Sequence, residues 1–173
     1  MTRLFRERIL KFGLYAVIVF FLYVLQSTPG VFSFCGISPI LVLPACLCIA
    51  VLEGPLPGGL FGFFFGLFCD TGSEIVFGFN TLFYLIFCTA AGFLAVYVLR
   101  RSVLNVMLIG LSFIALLFFT EYFFVYLLFG YDNLSSFFYW NIAPQIAFSS
   151  LFSLPFYLLF GKLHDLFARR EEM

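Results

Sequence analysis

Apolar runs alternate with short polar or glycine–proline breaks along almost the whole chain, and each run is long enough for a helix. The runs cover about 12–25, 37–52, 55–69, 79–99, 103–129 and 140–160. They are divided by Thr28-Pro29-Gly30, by Glu53-Gly54-Pro55, by Asp70-Thr71-Gly72, by Arg100-Arg101 and by the polar loop Gly130–Ser136. A helix rises about 1.5 Å per residue, and a bilayer core is about 30 Å thick. The pattern therefore predicts an all-α integral membrane protein, a single transmembrane domain over residues 1–173 with six spans and a short tail over 162–173. Spans 37–52 and 55–69 reach only about 24 and 22 Å, so neighbouring helices must shield their ends or the bilayer must thin. A four-span alternative makes 53–59 a re-entrant dip and keeps the same sidedness of charge. Gly-Pro-x-Pro-Gly-Gly at 54–59 is a turn signature in its own right, which favours six.

Within the third run the glycines are periodic. Gly54, Gly58, Gly62 and Gly66 recur every four residues, and Asp70 takes the next step. Four residues drift only about 40° around a helix, so these positions form one slowly winding stripe. Interior glycines weaken a helix in water by up to about 1 kcal/mol each. In a bilayer they let a second backbone approach closely, the small-xxx-small packing signal. Two occupants of the groove are open at this point, a helix of another protein or one of this chain's own spans. Pro55 suits the first turn of this helix.

Composition supports the membrane reading and narrows it. Of 173 residues, 64% are hydrophobic and only 10% charged, with a mean hydropathy of +1.12. A soluble domain carries about 25% charged residues, so no separate soluble domain is expected. The first apolar run leads into Gln26-Ser27-Thr28-Pro29 without a small-residue cleavage pattern, so it reads as a span rather than a cleaved signal. The formal net charge is zero, but the nine cations fall in three clusters: Arg3, Arg6, Arg8 and Lys11; Arg100 and Arg101; and Lys162, Arg169 and Arg170. Four spans separate the first two clusters and two separate the last two. All three then lie on one side, and the positive-inside rule makes that side, with both termini, cytoplasmic. Asp70, Glu74 and Asp132 fall on the other side, and Glu121 lies within the fifth span.

Candidate chemistry is sparse. Cys35, Cys46, Cys48, Cys69 and Cys88 lie in apolar sequence without ligand spacing, which reads as filler rather than a metal site or disulfides. His164 is the one histidine and sits in the charged tail as a helix C-terminal or solvated residue. No Ser-His-Asp set, HExxH, phosphate-binding loop or carboxylate pair can be assembled, so no catalytic residue, cofactor, metal or nucleic acid is expected. Glu53 meets the positive end of the following helix, which accounts for it structurally. Asp70 closes a helix C-terminus, where a carboxylate faces the negative end. It is expected to be hydrated, bonded to the backbone of Gly72 or Ser73, or paired with a donor from elsewhere, an ionic one only from another chain. Glu121 is an intramembrane polar residue, expected to be neutral or hydrogen-bonded to Asn141 or Gln145.

These residues resemble a known family. Gln26-Ser27-Thr28, then Gly36-x-x-Pro39 opening an apolar run, then the Gly-x-x-x-Gly-Phe-x-x-Gly-Leu-x-x-Asp pattern of Gly58 to Asp70, then Gly78 and Tyr84, are similar to the rod-shape-determining protein MreD family. The chain departs from that pattern at Ile40, where the family commonly has an acidic residue, and Glu53-Gly54-Pro55 is a variant turn. The resemblance implies a non-enzymatic scaffold of the cell-wall (peptidoglycan) elongation machinery in the bacterial inner membrane. It also implies the partners: an MreC-like bitopic protein, the MreB filament, RodA and a class B penicillin-binding protein, besides membrane lipids. The implied fold resembles the substrate-binding (S) component of vitamin transporters. On this reading Gly58, Gly62, Gly66 and Asp70 would dock the MreC-like span. The rival class is a solute-binding transporter subunit, which calls for a pocket with several convergent polar groups, whereas Asp70, Glu74 and Asn80 stand among phenylalanines. A third reading, handling of a lipid-linked wall precursor, lacks an external cation for a pyrophosphate.

Overall fold

A computed structural model describes residues 2–28, 39–72, 77–97, 103–129 and 143–171. Its helices are α1 (Thr2–Ser27), α2 (Val42–Glu53), α3 (Pro55–Thr71), α4 (Phe79–Tyr97), α5 (Val103–Phe129), α6 (Ala143–Leu151) and α7 (Ser153–Glu171), and there is no strand among the described residues. Prolines and glycines set most of the boundaries. Gly54 sits at φ 98°, which lets the chain reverse between α2 and α3, and Pro55 opens α3. Pro44 falls in the first turn of α2, where its missing N–H breaks no helical bond. The sixth run is broken at Phe152, because Pro155 cannot donate to the carbonyl of Leu151 four residues back. The described part of the tail is helical, with α7 continuing unbroken through 162 to Glu171.

The direction of each helix follows from side-chain pairings. Tyr15 of α1 reaches Glu53 of α2 while Gln26 reaches Leu41, so these two are antiparallel. Along α3, Gly59, Gly62 and Gly66 meet Thr89, Tyr84 and Thr81 of α4, rising in one helix and falling in the other. Phe79 of α4 meets Phe124 of α5 edge-on and Phe87 stacks on Phe113, again antiparallel. Lys11 and Tyr15 of α1 meet His164 and Phe160 of α7. The start of α1, the α2–α3 turn, the end of α4, the start of α5 and the end of α7 therefore share one end of the bundle. Up-and-down packing of this kind places both termini on the same side. Reporter fusions at the N-terminus, after Ser102 and at the C-terminus should accordingly report one compartment; opposite signals would exclude this packing.

Four helical segments have the length and apolarity to cross a membrane: Arg6–Ser27, Phe79–Tyr97, Leu104–Phe124 and Pro144–Ala168. The other two, α2 and α3, are short at about 18 and 26 Å. The centre of the bundle is α2, not the glycine helix. Every residue of α2 from Val42 to Leu52 is buried, with α1, α3, α4, α5 and α7 packed around it. A helix that is apolar on all sides belongs inside a bundle, and here its ends are covered by the longer neighbours.

Candidate functional site

The glycine stripe faces inward. A Cβ on Gly58 would meet Ala50 of α2 at 2.3 Å, one on Gly62 would meet the Tyr84 carbonyl at 2.5 Å, and one on Gly66 would meet the Thr81 backbone at 2.7 Å. The small positions on α3 are thus filled by α2 and α4 of the same chain. The helix-docking role expected of Gly58, Gly62 and Gly66 goes to an intramolecular partner, the second of the two occupants open from sequence. Gly92 of α4 completes the contact from the other side, lying against Pro55.

Asp70 finishes the same interface. It is 3% exposed, and its carboxylate reaches across to the start of α4. Oδ1 accepts from the Asn80 N–H at 2.9 Å, and Oδ2 accepts from the Thr81 N–H at 3.0 Å and from the Thr81 hydroxyl. The expected bond to Gly72 is not made, because the Gly72 N–H is taken by the carbonyl of Cys69 at 3.2 Å. Ser73 lies outside the described residues. Gly78, at φ 96°, turns the chain so that the first N–H groups of α4 point at Asp70. The carboxylate closing α3 therefore acts as N-cap for α4, and the positive end of α4 offsets the unfavourable end of α3.

A second polar cluster, which sequence reasoning missed, lies at the opposite end. Glu53 Oε1 accepts from Lys11 Nζ at 2.5 Å, from Tyr15 Oη at 3.0 Å and contacts His164 Nδ1 at 2.8 Å. Lys11, from the first cation cluster, is only 8% exposed, and His164 is an interhelical partner rather than a solvated tail residue. Burial of Glu53, the last residue of α2 and beyond the expected span 37–52, favours its neutral form. Its hydrogen bonds to Lys11 and His164 outweigh that and hold its carboxyl below the usual range. The signal available in the sequence was spacing: Lys11 and Tyr15 are one turn apart on α1, on the face that meets α2. Gln26 plays the capping part at the other end of α2, where its Oε1 accepts from Leu41 and Val42 N–H at 2.8 and 3.1 Å. Ser149 accepts from Ile40 N–H at 2.9 Å. The start of a buried helix is thereby satisfied by side chains from α1 and α6.

Of the two hydrogen-bond partners expected for Glu121, Gln145 makes no bond to it. Asn141 lies outside the described residues, and the groups within electrostatic reach of Glu121 are Cys69 and Tyr84. No hydrogen bond to its carboxyl is formed among the described residues. Replacing it with an apolar group therefore removes a desolvation penalty without orphaning a partner among the described residues. Glu121→Leu should unfold at the parental temperature or above, and Glu121→Gln at the parental temperature, in thermal melts of detergent-purified protein. A lower midpoint for Glu121→Leu alone would reveal a hydrogen bond from that carboxyl.

Cys46, Cys48, Cys69 and Cys88 are free thiols, and Cys35 lies outside the described residues. Among the described residues no three His, Cys, Asp or Glu side chains converge as a metal site. A groove of about 170 Å³ between α4 and α5 is lined by Leu94, Asn105, Leu108, Ile109, Ser112 and Phe113 and is mostly apolar. Comparison with protein-family models, with characterised proteins and with solved structures yields no match.

Proposed function

We propose that this chain is a non-enzymatic scaffold of the bacterial cell-wall elongation machinery, resident in the cytoplasmic membrane with both termini in the cytoplasm. The observation that supports the reading best is the Gly58-to-Asp70 pattern, the part of the sequence that most resembles the MreD family. In the fold it is one device: small residues seat α4 against α3, and the terminal carboxylate caps α4. Such a closely packed hairpin gives a rigid frame, which suits a scaffold. The cation-rich end, which carries both termini, faces the cytoplasm by the positive-inside rule. Since α2 and α4 fill the glycine face, an MreC-like span contacts the scaffold on a different surface.

Affinity purification of the tagged full chain from its native membrane, followed by mass spectrometry of proteins and small molecules, tests the reading. An MreC-like bitopic protein together with RodA or a class B penicillin-binding protein is the expected result. A stoichiometric vitamin and an ATPase module in their place would overturn it in favour of a transporter subunit.

A further inference from the structure

The C-terminal helix changes character at Gly161. Before it, Phe156 and Phe160 are buried, and the Phe160 ring meets Tyr15 edge-on at 5.4 Å between centroids. After it, none of the side chains from Lys162 to Ala168 is fully buried; Lys162, Asp165 and Leu166 are exposed and Leu163 is only partly covered. Segments with little buried apolar surface are those that open locally. His164 makes this segment's side-chain hydrogen bonds to other helices among the described residues, and it reaches Glu53.

That contact is oversubscribed. Lys11 Nζ, Tyr15 Oη and His164 Nδ1 all converge on one atom, Glu53 Oε1, at 2.5, 3.0 and 2.8 Å. A carboxylate oxygen offers about two lone-pair sites, so three donors cannot all be well served. Lys11 has almost no access to water, and Tyr15 is fixed by the core around its ring. His164 is the weakest-held of the three. Its Nδ1 also lies 3.1 Å from Lys11 Nζ, and one nitrogen cannot donate to Glu53 and accept from Lys11 at once. We propose that residues 161–171 form a strap that closes over the end of the bundle through His164, with Glu53 as its release point. Opening leaves the Lys11–Glu53–Tyr15 contacts intact and undocks the last turns of α7 without disturbing Phe156 or Phe160.

Hydrogen exchange read by mass spectrometry on the full chain in lipid nanodiscs tests this. In the parent, peptides from 161–168 should exchange at least about fivefold faster than those from 153–160, with a further rise of about fivefold in His164→Leu. Helices α1 to α4 should keep their parental protection in that variant. Glu53→Gln should give the same local rise, with some loss in α1 because Lys11 loses its counter-charge. Gly161→Ala should slow exchange over 161–168, since the added methyl would meet nothing within 4 Å and stiffens the helix. Unchanged exchange in His164→Leu would reduce the segment to ordinary end fraying and overturn the proposal. A rise spread evenly over all helices would also overturn it, by making His164 a general stability residue.

Discussion

Gly62→Leu should fail to give a monodisperse protein, and Gly62→Ala should lower the thermal midpoint by about 4–10 °C, as overpacking of a tight contact does in a chain of this size. The reason is that the neighbour is backbone. The first carbon added at Gly62 would lie 2.5 Å from the Tyr84 carbonyl oxygen and 2.9 Å from its carbon, with Cys88 Cβ at 3.1 Å. A side chain can rotate out of such a clash, but a helix backbone can only move as a body. Moving α4 away from α3 also pulls Asp70 off the N-terminus of α4, so two interactions fail together. Gly13→Ala and Gly161→Ala are the controls, since their added carbons would meet nothing within 4 Å. Size-exclusion chromatography with thermal melts in detergent reads all four variants. A monodisperse Gly62→Leu protein with the parental midpoint would show that α4 does not pack on this face. Loss of a copurifying bitopic protein from that variant would restore the outward docking surface.

The contrast between Gly62 and Glu53 shows where the sequence was legible. A periodic stripe is a property of one helix, so the seams of α3 and its turn at Gly54 follow from spacing alone. What fills the stripe depends on other elements, and a small residue accommodates a neighbouring backbone from either source. The identity of the central helix was also hidden. The α2 segment is apolar all round, which marks burial, but the sequence singled it out only as a short span whose ends need cover, not as the centre of the bundle. The pairing of Lys11 and His164 through Glu53 was not legible, because sidedness of charge says nothing of which groups meet. Both sit on helices that continue past the expected membrane edge, and their partner Glu53 is 42 and 111 residues away in sequence. Pairings at such separations have no local signature. Asp70 was read correctly as a residue needing donors. Its donors lie beyond the turn, at 80 and 81, where only Gly78 hinted that the chain folds back.

Asp70→Ala should destabilise the protein by about 2–4 kcal/mol, through loss of a helix cap and exposure of unsatisfied donors in a buried place. The Asn80 and Thr81 N–H groups and the Thr81 hydroxyl would each lose an acceptor, and the site is too enclosed for bulk water to substitute freely. Two weaker variants separate the contributions. Thr81→Val removes one donor together with its need for a partner, so its effect should be the smallest of the three. Asp70→Asn keeps one carbonyl oxygen and gives up the full charge facing the positive end of α4, so it should fall between. Thermal midpoints give the order of the three, and hydrogen exchange locates the damage. Protection should fall first over residues 79–83, while the α2 core and the α1 contacts hold. If Asp70→Ala melted with the parent and kept that first turn protected, the carboxylate would have no capping role. If protection fell equally in α2, the residue would act on the whole bundle rather than on the α3–α4 joint.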